Sequence, residues 1–310
     1  MFFNLRYHIA SLVAVFLALG IGILIGSTLP GNDALMKQQK QLSDHLEVQL
    51  DSLLKRNEAV QVRASSLEMD NNIQRQFEKQ ILPALIAGKL QGHNIALIET
   101  NGYGFPEDLT QTLQAAGASV QSVTTILNGL EVGDKNKLLT ALNWQDMKDE
   151  DIAPRLAAEM ARSVAEGDGK KILATLAQLE MIKTQGTYGI PLSDVVIVGG
   201  SVDESMIKAE SVDIPIIDYF QGKKITVFGT EQSGVMHSYM KDYQKKRIST
   251  VDNVESIPGQ VALVLAISGK PGHYGIKSTA QKLLPALDDA EGVVSGGKTT
   301  KAGVGTNTRS

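Results

Sequence analysis

Hydrophobic and polar positions alternate in three different ways along this chain. From Ile9 to Leu29, within RYHIASLVAVFLALGIGILIGSTL, no residue is charged. At about 1.5 Å per residue, a helix of that length matches the roughly 30 Å hydrocarbon core of a bilayer. A core helix rarely needs so long a charge-free run. A cleaved export signal would have a shorter one, followed by an A-x-A-like site, of which Ser27-Thr28-Leu29-Pro30-Gly31 is a poor version. The pattern predicts a permanent single-pass anchor at 9–29 behind a short cytoplasmic tail, 1–8. Ala10, Ala14, Ala18, Gly22 and Gly26 recur every fourth position on one helix face, and Gly22 to Gly26 forms a GxxxG pair that permits close helix approach. Arg6 precedes the span, whereas Lys37 and Lys40 follow it, so charge alone does not set the orientation. A tail of eight residues is easily left in the cytoplasm, which predicts an extracytoplasmic C-terminal domain.

The second regime, 34–82, is rich in Gln, Leu, Lys, Glu and Asp. Leu46, Leu53, Val60 and Leu67 fall seven apart, with Leu50, Asn57, Ala64 and Asn71 in the complementary positions. Polar Asn within a coiled-coil seam fixes register at a cost in stability. A long amphipathic helix folded back on the domain also fits, but clean heptads next to a GxxxG anchor favour a parallel dimeric stalk ending before Pro83.

The third regime, 93–287, alternates short β-branched runs with helical stretches. IALIE (95–99), ASVQSVT (118–124), VVIVGG (195–200), ITVFG (225–229) and ISTV (248–251) read as strands. Helices are expected over 106–117, over most of 130–186, from Asp213 to Gly222, and from a Ser233 cap through Lys245. QVALVLAIS (260–268) is too short to assign by periodicity. Ser256 and Pro258 before it and Gly269 after it favour a helix. The predicted fold is α/β: an N-terminal transmembrane helix and coiled-coil stalk, then a Rossmann-like parallel-sheet domain with helices on both faces. Residues 288–310, rich in Gly, Ser and Thr, read as a disordered tail.

Composition narrows the chemistry. A formal net charge of -4 argues against nucleic-acid binding. The absence of cysteine removes disulfides, thiolate metal sites and thiol nucleophiles. Gly102-Tyr103-Gly104 begins a dinucleotide fingerprint, but Glu107 stands where its third glycine belongs, which argues against a nicotinamide or flavin cofactor. GVVSGGKT (292–299) matches the phosphate-loop expression yet lacks the preceding strand and following helix that the chemistry needs. No HExxH, paired-carboxylate or Ser–His–Asp arrangement stands out, so a non-enzyme is expected.

Two segments carry candidate sites. In MHSYM, Met236 and Met240 lie one helical turn apart beside His237. Thioether and imidazole suit Cu(I), though methionines so spaced also suit core packing. In GKPGHYGIK (269–277), Gly269, Gly272 and Gly275 recur every third residue among Lys270, His273, Tyr274 and Lys277, before a helix expected from Ser278. That arrangement could receive an anion or a partner protein at a helix N-terminus, or could simply be a turn between core helices.

RYHIASLVAVFLALGIGILIGS together with STVDNVESIPGQVALVLAISGKPGHYGIK resembles the mycobacterial copper transport protein B family, over about residues 1–287. The resemblance implies a membrane-anchored, dimeric extracytoplasmic domain associated with copper tolerance and labelled an outer-membrane transport protein. Some relatives are instead associated with envelope assembly and division beside a second membrane protein. Copper is then the expected ligand, if any, and an envelope scaffold the alternative.

Overall fold

The computed structural model describes residues 5–27, 31–105, 108–167, 170–206 and 208–287. The phosphate-loop match and the C-terminal tail fall outside them. The chain divides into two units, Met1–Arg75 and Gln76–Ser310.

The first unit is helical. Helix α1 spans Leu5–Ser27, and its segment Arg6–Ser27 has mean hydropathy 2.7 with none of it buried. It is long and apolar enough to cross a membrane. Helix α2, Gly31–Ile86, belongs to this unit through Arg75. Leu46, Leu53, Val60 and Leu67, an apolar seam at heptad spacing, are all exposed on it.

The second unit is an α/β domain on a seven-stranded sheet. Its strands are β1 (Asn94–Glu99), β2 (Ser119–Ile126), β3 (Ile182–Gly186), β4 (Asp194–Gly199), β5 (Thr226–Glu231), β6 (Ser249–Val251) and β7 (His273–Tyr274), in the spatial order β3-β2-β1-β4-β5-β6-β7. All pairings are parallel except β2 with β3. Strand order reverses between β1 and β4, the crevice position in doubly wound sheets. Successive strand residues are buried on opposite faces. Ala96, Ile98, Val195 and Ile197 pack with helices α5 (Asp149–Glu166) and α7 (Ile214–Gly222). Ile95, Leu97, Val196 and Val198 pack with α3 (Leu109–Ala115) and α9 (Ile257–Ile267). Burial on both faces is why these strands read as continuous apolar runs. The last turn of α2 joins the second core through Ile86.

Helix α9 bears out the helical reading of 260–268: Ser256 Oγ accepts the Gly259 N–H at 3.1 Å, and all residues from Gly259 to Ile267 are buried. Other boundaries differ from expectation. Helix α2 runs through Pro83 to Ile86, because a proline removes only one hydrogen bond near a helix end. Between α4 (Lys135–Leu142), α5, α6 (Lys170–Gln178) and β4 lies β3, an edge strand whose IKTQG sequence buries one residue and so shows no alternation. The expected helix from Ser233 is only α8, Met240–Lys245. Ser233 donates its N–H and hydroxyl to Glu255 instead of capping a helix. No helix opens at Ser278; the Ala280 N–H closes a turn on the Lys277 carbonyl.

Two strand glycines are sterically required. A Cβ on Gly199 would overlap the Tyr243 hydroxyl, and one on Gly229 would overlap its ring. Gly229→Ala should therefore destabilise the domain by about 1–3 kcal/mol through overpacking, read as a lowered urea midpoint with unchanged slope. An unchanged midpoint would show that Tyr243 can move aside.

Candidate functional site

Three buried strands end in a carboxylate: Glu99 on β1, Glu231 on β5, and Asp252 just beyond β6. Their neighbours make the carboxyl rim of the sheet the polar centre of the domain.

Glu231 is its hub. The fully buried carboxylate accepts the Ser238 hydroxyl at 2.6 Å, the Tyr239 N–H at 2.9 Å and the Lys277 amine at 2.7 Å. Lys277 also donates to the Gln232 carbonyl. The MHSYM segment and the 269–277 loop therefore converge on one residue. Asp252 clamps the same loop by accepting the Ile276 and Lys277 N–H groups. Gly275, at φ +135°, passes so close that any Cβ would strike the Asp252 carboxylate.

A second cluster sits at the switch point. Asp213 ends a π-helical turn, Ala209–Asp213, that leads into α7. Its Oδ1 accepts the hydroxyls of Thr100 at 2.5 Å and Tyr243 at 2.6 Å, while Oδ2 has no partner. Burial pushes Asp213 up to about 7, against the opposing pull of those two hydroxyls. Glu99 is buried as well: Oε1 accepts the Gly104 N–H and Oε2 is unpartnered. Burial raises it above the usual carboxylate range, with Thr125, Gly104 and Lys183 pulling the other way.

The rim loops are cross-linked. Ser201 and His237 exchange backbone hydrogen bonds at 2.8 and 2.9 Å. The Tyr103 hydroxyl lies 3.3 Å from Ser201 Oγ and accepts the Val202 N–H. Gln232 donates to the Gly104 carbonyl.

The structure separates residues that spacing had grouped. Met236 is 79% exposed and Met240 is buried at 1%. They share no helix face, because α8 begins only at Met240 and His237 lies in a β-bridge. His273 is held by Thr250 Oγ1 at 3.0 Å on Nδ1, and burial lowers its pKa. In the 269–277 loop, Lys277 faces inward to Glu231, and Lys270 donates to the Ala286 carbonyl. The Tyr274 hydroxyl donates back to the carbonyls of Lys270 and Pro271. No helix opens at Ser278, and Lys277 is committed to an internal ion pair with Glu231.

Sequence reasoning singled out neither Glu231 nor Asp252. Their signal was present: IALIE, FGTE and STVD each close an apolar strand with an acid. Among the described residues, no group of three or more His, Cys, Asp or Glu could hold a metal ion.

The chain thus joins an apolar helix of membrane length and a long heptad-bearing helix to an α/β domain built on a mostly parallel sheet. A family model described as "Copper transport outer membrane protein, MctB" matches residues 2–285, and the chain belongs to that family. Relatives named copper transporter MctB, from Mycobacterium tuberculosis and Mycobacterium bovis, are 23% identical over 312 residues, covering 88% of this chain and 96% of theirs. The family is named for transport rather than catalysis.

Asp213 makes stability depend on pH. Its folded pKa lies above the ordinary aspartate value of 3.8, so the folded state holds the proton that the unfolded state has lost. This contribution is present below pH 4 and is lost as pH rises to 7, at up to about 1.4 kcal/mol per pH unit. Asp213→Asn, which keeps an acceptor for Tyr243, should flatten that part of the stability–pH curve. Parallel curves for wild type and variant would refute the assignment.

Proposed function

We propose that this chain is a single-pass component of copper transport that works as a homodimer, with its α/β domain on the extracytoplasmic side as a binding module. The observation that carries this reading is α1: an exposed helix of membrane length, uncharged from Ile9 onward, in a chain of a copper-transport family. The Gly22–Gly26 face and the exposed Leu46, Leu53, Val60 and Leu67 seam support the dimer.

Conduction by this chain alone fits poorly. The single membrane-length helix among the described residues encloses no pore by itself, and a β-barrel channel needs a closed antiparallel sheet, whereas the sheet those residues form is open and mostly parallel. In this reading copper is cargo that the domain receives or hands on. Met236 and His237 are its donors, without the buried Met240. A pair of soft donors at the surface suits transfer better than storage.

A second reading, an envelope scaffold or regulator that docks a membrane partner protein, is favoured by the same exposed seam of α2, which a different chain could cover.

Anaerobic Cu(I) titration of the full chain in detergent micelles, against a competing chelator, tests the first reading. It expects stoichiometric competition that weakens about tenfold or more in Met236→Ala/His237→Ala. Met240→Ala should instead cost about 2–5 kcal/mol of stability as a core truncation. Failure of the wild type to compete would leave the scaffold, and crosslinking in native membranes would then be expected to capture a second protein with the homodimer.

A further inference from the structure

The opposite rim of the sheet carries charge that the domain does not use. A cavity of about 750 Å³ opens at the amino ends of β4, β5 and β6. Its apolar wall includes Phe228 and Ile267, its polar wall His93 and Ser193, and its cations are Lys224 and Arg247. Among the described residues neither cation forms an ion pair or a side-chain hydrogen bond, and both are exposed. The helix C-termini at this rim favour positive charge, and that accounts for their neighbours. Lys223 pairs with Glu166, Lys245 with Asp242, and Lys246 with Asp218. Lys224 and Arg247 are additional to these. On the polar wall, Asp194 Oδ2 accepts from Ser193 Oγ at 2.6 Å and lies 2.6 Å from His93 Nδ1, so that oxygen is committed to its own neighbours.

The backbone gives an independent sign that these side chains matter. Helices α7, α8 and α9 each end in a left-handed residue, and all three residues line this cavity: Lys224 at φ +61°, Arg247 at φ +59° and Gly269 at φ +109°. The following N–H groups close the ends, Ile225 on the Phe220 carbonyl and Lys270 on that of Leu265. Glycine is the residue that adopts this conformation without strain. At α9 the sequence uses glycine, whereas at α7 and α8 it places a long cation in the same strained position.

We infer that this cavity binds a small amphipathic anion: a carboxylate or phosphate head held by Lys224 and Arg247, with an apolar body against Phe228 and Ile267. Arginine's planar fork matches either head in a bidentate way, and lysine adds a point charge. The inference is independent of copper and of the dimer.

Isothermal titration of the full chain in uncharged-detergent micelles tests it, with phenyl phosphate and phenylacetate as probes and phenol as the neutral control. The expected result is binding of at least one anionic probe and weaker binding of phenol. Whichever anion binds more tightly identifies the head group. Lys224→Gly/Arg247→Gly should weaken that binding about tenfold or more, with the melting temperature unchanged or raised, because glycine relaxes both left-handed positions. Equal affinity for phenol, no binding of either anion by the wild type, or undiminished binding by the folded glycine variant would each overturn the inference.

Discussion

One carboxylate oxygen holds the α/β domain together where its strand order reverses. Asp213 Oδ1 accepts hydroxyls from Thr100, just beyond β1, and from Tyr243, in α8, while Asp213 itself leads into α7. Tyr243 reaches that oxygen only because Gly199 on β4 and Gly229 on β5 leave room for its ring and hydroxyl. In a low-dielectric interior such bonds are strong when satisfied and costly when broken. The knot therefore fixes α8 against two strands and fixes β1 against the helix that follows β4. The remaining Asp213 oxygen has no partner, which is consistent with a carboxyl that holds its proton near neutrality.

That constraint bears on where function can lie. Ligands of open α/β sheets usually bind beyond the carboxyl ends of the strands. Here that rim is occupied by the protein's own charges. Lys277 neutralises Glu231, the backbone of 276–277 satisfies Asp252, and the loops after β1, β4 and β5 are bonded to one another. Apart from the buried, unpartnered Glu99 Oε2 and Asp213 Oδ2, the rim's charges are committed, and a charged ligand gains little there without first breaking buried ion pairs. The amino rim is the reverse case. Its cavity is open, and two of its cations have no partner in the described chain.

The fold was legible wherever burial left a one-dimensional trace. A charge-free run gave α1, uninterrupted β-branched runs gave the parallel strands, and a cap with proline and glycine gave α9 against an ambiguous periodicity. Legibility failed where side-chain hydrogen bonds outcompeted helix formation. Ser233 turned to Glu255, so the segment up to Tyr239 stayed irregular, and IKTQG paired at an edge that needs no apolar alternation. The candidate residues failed for a related reason. Helical spacing placed Met236 beside Met240, and once the helix started at Met240 rather than just after Ser233, that spacing no longer meant proximity. The Glu231–Lys277 pair lies 46 residues apart and has no local signature.

Copper handling by such a chain has to be reconciled with its donors. Without cysteine, Cu(I) must be met by thioether and imidazole. Burial of Met240 in the core removes one of the three donors that the sequence grouped in MHSYM. The two that remain, Met236 and His237, are adjacent in the chain but leave a Cu(I) ion short of its preferred ligands. On the reading proposed above, the missing ligand comes from outside the domain, from a second copy or from the protein that delivers or receives the ion. Incomplete coordination is then what lets the ion move on: a donor set that closed around copper within one chain would retain it. On that reading a membrane anchor would matter for the same reason. A weak two-donor site becomes effective when a membrane span and a heptad seam hold donor and acceptor at high local concentration, so α1 and α2 would supply in proximity what the site lacks in affinity.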